Sequence, residues 1–482
     1  MRGCSSSNEK ILKHHCRTLV TKTNNVDVVN NVVEDVDVVV VGAGLLGSSV
    51  AYHLSKMKDR RVLVVDKNQP ASCATSQSAG LLVHVSADPH KTRFVQETRR
   101  DLEDLNLFEH DFKATGTVRV AVSEGNKRKL LEEIQVANSC GVRNERLNVQ
   151  DARHLVPWLS IDESDDALIY FMPDDGWIDP QILAGSYLRA ARECENVRTM
   201  CGNDEHEVVE LLLDSSKITS VKLKSGETIK TKAVVDATGS WGGLLLEKNK
   251  SSSFHGLAHA PTRSHYWIVG GCTEKFPSHC PNVVLPDVAA YTRSQTDGSF
   301  VLGVQEGPSD DADDDTTTYT WDPRQLPIDG REQSDLAEAD SDQAQLVLLN
   351  RFEELATYMP EIESAELQHW VAGMSTYTFD GKYNVGAHTS TERMYVASGC
   401  NGSGLSASGG IGKFIAGLVD RTAFITDDDW TSILDRERKD DPRIDLYDPE
   451  RQCKDQVDDG SVFSETFRER CAMSRVRKFQ SE

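Results

Sequence analysis

Apolar positions run nearly unbroken from Val36 to Val41 (VDVVVV) and stop at glycine, the pattern of a strand buried on both faces. An amphipathic stretch over 45–57 and a second apolar run, VLVVD at 62–66, complete a predicted strand-helix-strand unit. Helical periodicity then covers 90–108 and 126–139. Between them TGTVRVAVS alternates through Val118, Val120 and Val122 as a strand does, and there the chain first leaves the opening domain. A helix over 182–193 follows, with Asp179 and Pro180 suited to its start. VVEL, ITSVKLKSGETI and AVVDATG predict a hairpin leading into a buried strand. SHYWIV, NVVL, AAYTRS and SFVLGV, within 263–305, predict a mainly antiparallel second domain. A helix over 343–358 and a last strand-turn-helix over 394–419 close the pattern.

Charge changes the picture at three places. The net charge of −23 excludes a general phosphate-backbone binder, because such binding needs clustered Lys and Arg, so nucleic acid is not expected as a partner. Glu306 to Asp342 holds thirteen acids and two bases, an acidic insertion expected to be a solvated loop. Residues 427–482 are charged and apolar-poor and read as a peripheral tail. The first 25 residues carry Arg2, Lys10, Lys13, Arg17 and Lys22 against Glu9, resembling an organelle transit peptide; an ordinary basic tail is the alternative. The eleven cysteines show no C-x-x-C spacing, so no metal site is expected. No apolar run approaches the roughly 18 residues of a membrane span.

Gly42, Gly44 and Gly47 form G-x-G-x-x-G directly after a strand and opening a helix. In that context Gly42 permits the tight turn, Gly44 admits a pyrophosphate, and Gly47 lets helix and strand touch, with Ala43, Leu45 and Leu46 between them. Asp66, followed by Lys67, ends the next strand, where an acid accepts hydrogen bonds from an adenosine ribose and disfavours a 2′-phosphate. Taken alone, Asp66 would be an ordinary strand-end acid. An NAD enzyme needs one such turn. Two more occur far downstream, VVDATGSW at 234–241 and ASGCNGSGL at 397–405, as expected if a longer cofactor is gripped from several segments.

These pieces, with ATSQSAGLL, DGWIDPQ and TYTFDGKYNVG, resemble the D-amino-acid oxidase and sarcosine dehydrogenase family of FAD-dependent oxidoreductases over roughly 36–425, most of all the mitochondrial FAD-dependent oxidoreductase domain-containing proteins. The resemblance implies an α/β chain with a discontinuous Rossmann-like FAD-binding domain (36–115, 166–245 and 371–426). A substrate domain (116–165 and 246–370) would be α+β, on a largely antiparallel sheet. Residues 1–35 would form the targeting or disordered tail. By the same resemblance, Ser76, Gln77, Ser78, Ala79, Gly80 and Leu81 lie along pyrophosphate and flavin, and Val208 meets adenine. Thr238, Gly239 and Trp241 belong to the second glycine turn, and Gly402, Ser403, Gly404 and Leu405 border the flavin.

The chain departs from the family at several points. Gln77 stands where related dehydrogenases link a histidine to FAD, and Gly373 where related oxidases use a cysteine, so noncovalent FAD is expected. Val301 replaces the lysine that speeds reaction with oxygen, favouring a dehydrogenase with another electron acceptor. Ser406 and Leu81 to Val83 lack the basic residues of a substrate-carboxylate clamp. Tyr291, Arg293 and Tyr377 remain as candidate catalytic residues, with Arg293 as a replacement clamp. His84 and His265 are possible bases, but no motif requires either. The expected substrate is an amine or N-methyl amino acid, in mitochondria or alternatively cytoplasm or plastid. The competing reading is a flavin-containing assembly factor bound to respiratory complex I subunits.

Overall fold

The structure, a computed structural model, describes residues 35–163, 166–247, 257, 259–270, 276–304, 348–349, 351–425 and 429–449. The acidic insertion, the N-terminal tail up to residue 34 and residues 450–482 lie outside them. Two sheets within the unit beginning at Asp35 organise the molecule.

The first has six strands in the order β18 (Asn384–Ala387), β19 (Met394–Ser398), β12 (Ala233–Asp236), β1 (Val38–Val41), β2 (Val62–Asp66) and β8 (Val197–Cys201). All neighbours are parallel except β18 against β19. Helices α1 (Leu45–Ser55), α2 (Pro89–Asp104), α5 (Pro180–Arg192) and α7 (Gly404–Thr422) contribute to its apolar core. Asp179 caps α5 by accepting from the Gln181 N–H at 2.7 Å, with Pro180 as first helical residue, as its sequence predicts. Small residues let α7 lie against its neighbours: a Cβ at Gly410 would come within 2.2 Å of the Phe94 Cα, and one at Gly412 within 2.2 Å of the Ser49 hydroxyl.

The second sheet has eight strands: β17 (Glu366–Thr378), β13 (His259–Gly270), β16 (Phe300–Val304), β15 (Ala290–Ser294), β14 (Asn282–Leu285), β4 (Thr117–Ala121), β6 (Leu168–Met172) and β5 (Glu145–Leu147). It is antiparallel save for β14 beside β4. One face buries Val118, Val120, Trp267, Val283 and Leu302, with α4 (Val149–Leu155) and the helical residues 351–358 supplying Ala152 and Leu355. The opposite face is roofed in part by α3 (Glu124–Ser139) and encloses a cavity described below. A three-stranded sheet of β9 (Val208–Asp214), β10 (Lys217–Leu223) and β11 (Thr228–Lys230) forms the expected hairpin region. A ribbon of β3 (Leu81–Leu82) and β7 (Gly176–Trp177), and the short α6 (Leu244–Glu247), complete the interior.

Within the segment expected to be a peripheral tail, the described residues 429–449 pack against the core instead. Helices α8 (Trp430–Asp440) and α9 (Arg443–Leu446) bury Trp430, Ile433, Leu434, Ile444 and Tyr447 in the six-stranded core. The Trp430 indole donates to the His388 carbonyl at 3.0 Å, and the Tyr447 hydroxyl to Asp88 at 2.6 Å. Five apolar anchors at helical spacing hold the segment, although charged residues dominate its composition.

Candidate functional site

The turn between β1 and α1 is shaped by what glycine lacks. Gly42 adopts φ +105°, and a Cβ there would lie 2.5 Å from the Ala237 carbonyl oxygen; one at Gly47 would lie 1.9 Å from that of Gly42. At Gly44 a Cβ would meet only the Thr75 hydroxyl, at 3.4 Å, because that side faces an open cleft. Thr75 Oγ1 accepts the Leu45 N–H at 3.0 Å. The Asp66 carboxylate is aimed by main chain: Oδ2 accepts from the Ala43 N–H at 2.7 Å and Oδ1 from that of Asn68 at 2.8 Å. Burial pushes its pKa up, against the opposing pull of those two donors.

Gly42, Gly44, Leu45, Leu46, Asp66 and Lys67 line one wall of a cleft of about 490 Å³, and Val208, Thr238, Gly239 and Trp241 line another. Buried Asp236 pins the second turn, accepting from the Thr238 and Gly243 N–H groups at 3.0 Å each. Trp241 Nε1 is buried with no hydrogen-bond partner among the described residues. Behind this turn His259 hydrogen-bonds Asn384 at 3.2 Å, and burial lowers its pKa to about 4.

A second cavity, of about 540 Å³, shares Ala74, Ser78, Met374, Ser375, Gly402 and Leu405 with the first. Cleft and cavity therefore adjoin. Gln77, Ala79, Gly80, Leu81 and Ser403 line the cavity, and Gly404 the cleft. Three expected cofactor residues face neither. Ala43 acts through Asp66, Gly47 through helix packing, and Ser76 donates to the Cys73 carbonyl at 2.8 Å. Gln77 and Gly373, the two positions at which the resemblance led us to look for covalent attachment, meet in space: a Cβ at Gly373 would be 3.2 Å from the Gln77 Cβ.

Tyr291 and Tyr377 both line this cavity. The Tyr291 ring lies over Gly303, where a Cβ would come 2.0 Å from its Cζ. Arg293 lines neither cavity; its guanidinium packs 4.3 Å from the Trp177 ring and donates to Gln295 at 3.5 Å. Val301, its register partner on β16, is fully buried. Ser406 clips α7 to β3, accepting the Val83 N–H and donating to the Leu81 carbonyl, each at 3.1 Å.

His84, named from sequence only as a possible base that no motif requires, lines the cavity while its Nδ1 lies 2.7 Å from Asp175 Oδ1. The same oxygen accepts the His84 N–H at 3.0 Å, and both side chains are buried. With Nδ1 committed, Nε2 is the ring nitrogen left for a ligand. The carboxylate comes from DDGW, 91 residues downstream.

The arrangement fits FAD: an open face at Gly44 for pyrophosphate, an acid aimed at a ribose, and an adjoining cavity for flavin and substrate. The FAD-dependent oxidoreductase family model matches residues 37–418, and the chain belongs to that family. FAD is its cofactor. Among curated relatives, the mitochondrial pyruvate dehydrogenase phosphatase regulatory subunit of Mus musculus is 25% identical over 385 residues, covering 79% of this chain and 40% of that protein. FAD-dependent oxidoreductase domain-containing protein 1 of Xenopus laevis is 24% identical, covering 80% of this chain and 79% of its own. Mitochondrial sarcosine dehydrogenase of Mus musculus is 22% identical, covering 79% and 39%. The chain thus spans about two-fifths of the regulatory subunit and of sarcosine dehydrogenase. Crystalline L-proline dehydrogenase from P. horikoshii shares the fold, with TM-score 0.67, 20% identity and coverage of 88% and 99%. No helix of the described residues is long and apolar enough to cross a membrane.

Proposed function

We propose that this protein oxidises the C–N bond of an amine or N-methyl amino acid, as a dehydrogenase holding FAD noncovalently. The observation that carries the reading is a histidine oriented by a buried carboxylate, in a cavity that adjoins the dinucleotide cleft. When bound, FAD supplies the acceptor for the hydride of the carbon next to nitrogen. His84 Nε2 takes the proton of the arriving ammonium, leaving the nitrogen lone pair free to assist departure of the hydride. Asp175 holds the ring and stabilises the imidazolium so formed. Tyr291 and Tyr377 wall the substrate and exclude water.

Gln77 and Gly373 offer no nucleophile at the two facing positions, which supports noncovalent binding. Val301, in place of a cation on β16, supports an electron acceptor other than oxygen. The mitochondrial relatives support a mitochondrial location. The deciding measurement is anaerobic titration of the yellow holoprotein with sarcosine, dimethylglycine, L-proline and longer N-methyl amines. Bleaching of the flavin band is expected, and no bleaching by any of them overturns the reading.

A second reading has one observation in its favour: a relative at 25% identity is by name a regulatory subunit. In it the flavin domain serves chiefly to bind partner proteins, such as subunits of a respiratory complex. Partner capture that survives His84→Asn, without any substrate bleaching the flavin, would select it.

A further inference from the structure

One row of register partners crosses the eight-stranded sheet: Tyr266 pairs with Gly303, Gly303 with Tyr291, Tyr291 with Val284, and Val284 with Arg119. Residues directly opposite on neighbouring strands share a face. Tyr266, Tyr291, Val284 and Arg119 accordingly line the same cavity and form its floor. Gly373 and Gln77, which would border the flavin, meet on the β17 side, so the row would lead from flavin to guanidinium. Two strand spacings, about 10 Å, separate the backbones of Tyr291 and Arg119.

A single face of α3 closes the far end. Asn126, Lys129, Leu130 and Glu133 recur at helical spacing, and all line the cavity. Arg119 Nη2 reaches the Glu133 carboxylate at 3.1 Å. Arg119 Nε is buried and has no hydrogen-bond partner among the described residues. Arg119 and Lys129 thus lie together with the Glu133 carboxylate at this end of the cavity, while Asn126 donates to Asp287 at 2.9 Å. Burial, aided by the charge of Arg119, lowers the Lys129 pKa. Val85, Val95, Leu130 and Val284 give the same cavity an apolar part of its lining.

We propose that Arg119, with Lys129, forms a subsite for a carboxylate carried several carbons away from the oxidised C–N bond, and that Glu133 is the counter-ion it exchanges for that carboxylate. This deepens the amine-oxidising reading and rests on it for the identity of the reacting end. The ligand has three parts in line with the lining: an amine beside His84, an aliphatic spacer over Val284 and Leu130, and an acid at Arg119. A guanidinium grips such an acid through paired N–H donors.

The test is calorimetric titration of anaerobic holoprotein with sarcosine, 6-(methylamino)hexanoate and N-methylhexylamine, with flavin absorbance read in parallel. The long carboxylate should bind about tenfold tighter than either other probe, since it alone reaches the charged group while filling the spacer region. Arg119→Met should remove most of that advantage and cost N-methylhexylamine far less. Glu133→Gln, a near-isosteric change that removes the competing anion, should tighten the long carboxylate severalfold, and it serves even where Arg119→Met does not fold. Equal affinity for the three probes overturns the subsite, as does a loss of carboxylate affinity in Glu133→Gln. Arg119-dependent binding without bleaching supports the subsite while sinking the oxidation reading. Bleaching by sarcosine with no carboxylate preference does the reverse.

Discussion

At the dinucleotide end, main chain shapes the surface offered to the ligand: an open face at Gly44, a carboxylate aimed by two N–H groups, and a turn pinned by Asp236. In the adjoining cavity, the groups are side chains brought from distant strands and helices: His84 with Asp175, Tyr291 over Gly303, Arg119 against Glu133. The first surface is fixed by local sequence, since only glycine allows it. The second is fixed by strand register. Substitutions should therefore have different consequences at the two ends, abolishing cofactor retention at one and changing rate or selectivity at the other.

The largest effect is expected from Gly47→Val, whose Cβ would collide with the Gly42 carbonyl. Purified protein should be colourless, by flavin absorbance per polypeptide after gel filtration. A normal flavin complement would break the contrast. Gly373→Ala, with a 3.2 Å approach to Gln77, should retain its flavin. Next, His84→Asn should slow anaerobic flavin reduction by about 10²-fold or more with FAD still bound, and Asp175→Asn should follow it. Stopped-flow reduction by any bleaching substrate checks this; a change below threefold would remove His84 from the chemistry.

The third effect is on stability. Burial depresses the His259 pKa from 6.5 to about 4, so the folded state binds fewer protons than the unfolded chain between those values. The stability of the fold is therefore undiminished above about pH 6.5 and declines as pH falls toward about 4, by roughly 3 kcal/mol at most. The melting temperature should fall less over this interval in His259→Leu than in the parent; equal declines would acquit His259. The smallest effect is Asp66→Asn, expected to weaken FAD about tenfold by loss of a charged acceptor. Because burial raises the Asp66 pKa, parent affinity should decline on acidification at a higher pH than an ordinary aspartate would impose. Asp66→Asn should lack that decline.

The same contrast explains what could be read from sequence. Gly42, Gly44, Gly47 and Asp66 announce themselves within 25 positions, because the turn, the helix start and the next strand are contiguous in the chain. Arg119 did not. In TVRVA the alternation assigns Val118 and Val120 to a core and Arg119 to the opposite face, but periodicity cannot show that α3 encloses that face. Asp175 was hidden for another reason: its partner is 91 residues away, and no local spacing links them. Arg293 shows the converse. Its strand and face were legible, sharing a side with Tyr291, but Trp177 occupies the space beneath its guanidinium. In α8 and α9, abundant charge masked a few buried anchors.

The meeting of Gln77 and Gly373 carries a consequence for how the protein persists in a cell. A cofactor secured only by contacts exchanges with the free pool, and ligand that binds only the folded state adds about 2.7 kcal/mol of stability at a hundredfold excess over its dissociation constant. A covalent tether would remove that exchange. If FAD is held only by contacts, as proposed above, the folded population of this chain, and hence its resistance to proteolysis, would rise and fall with flavin supply.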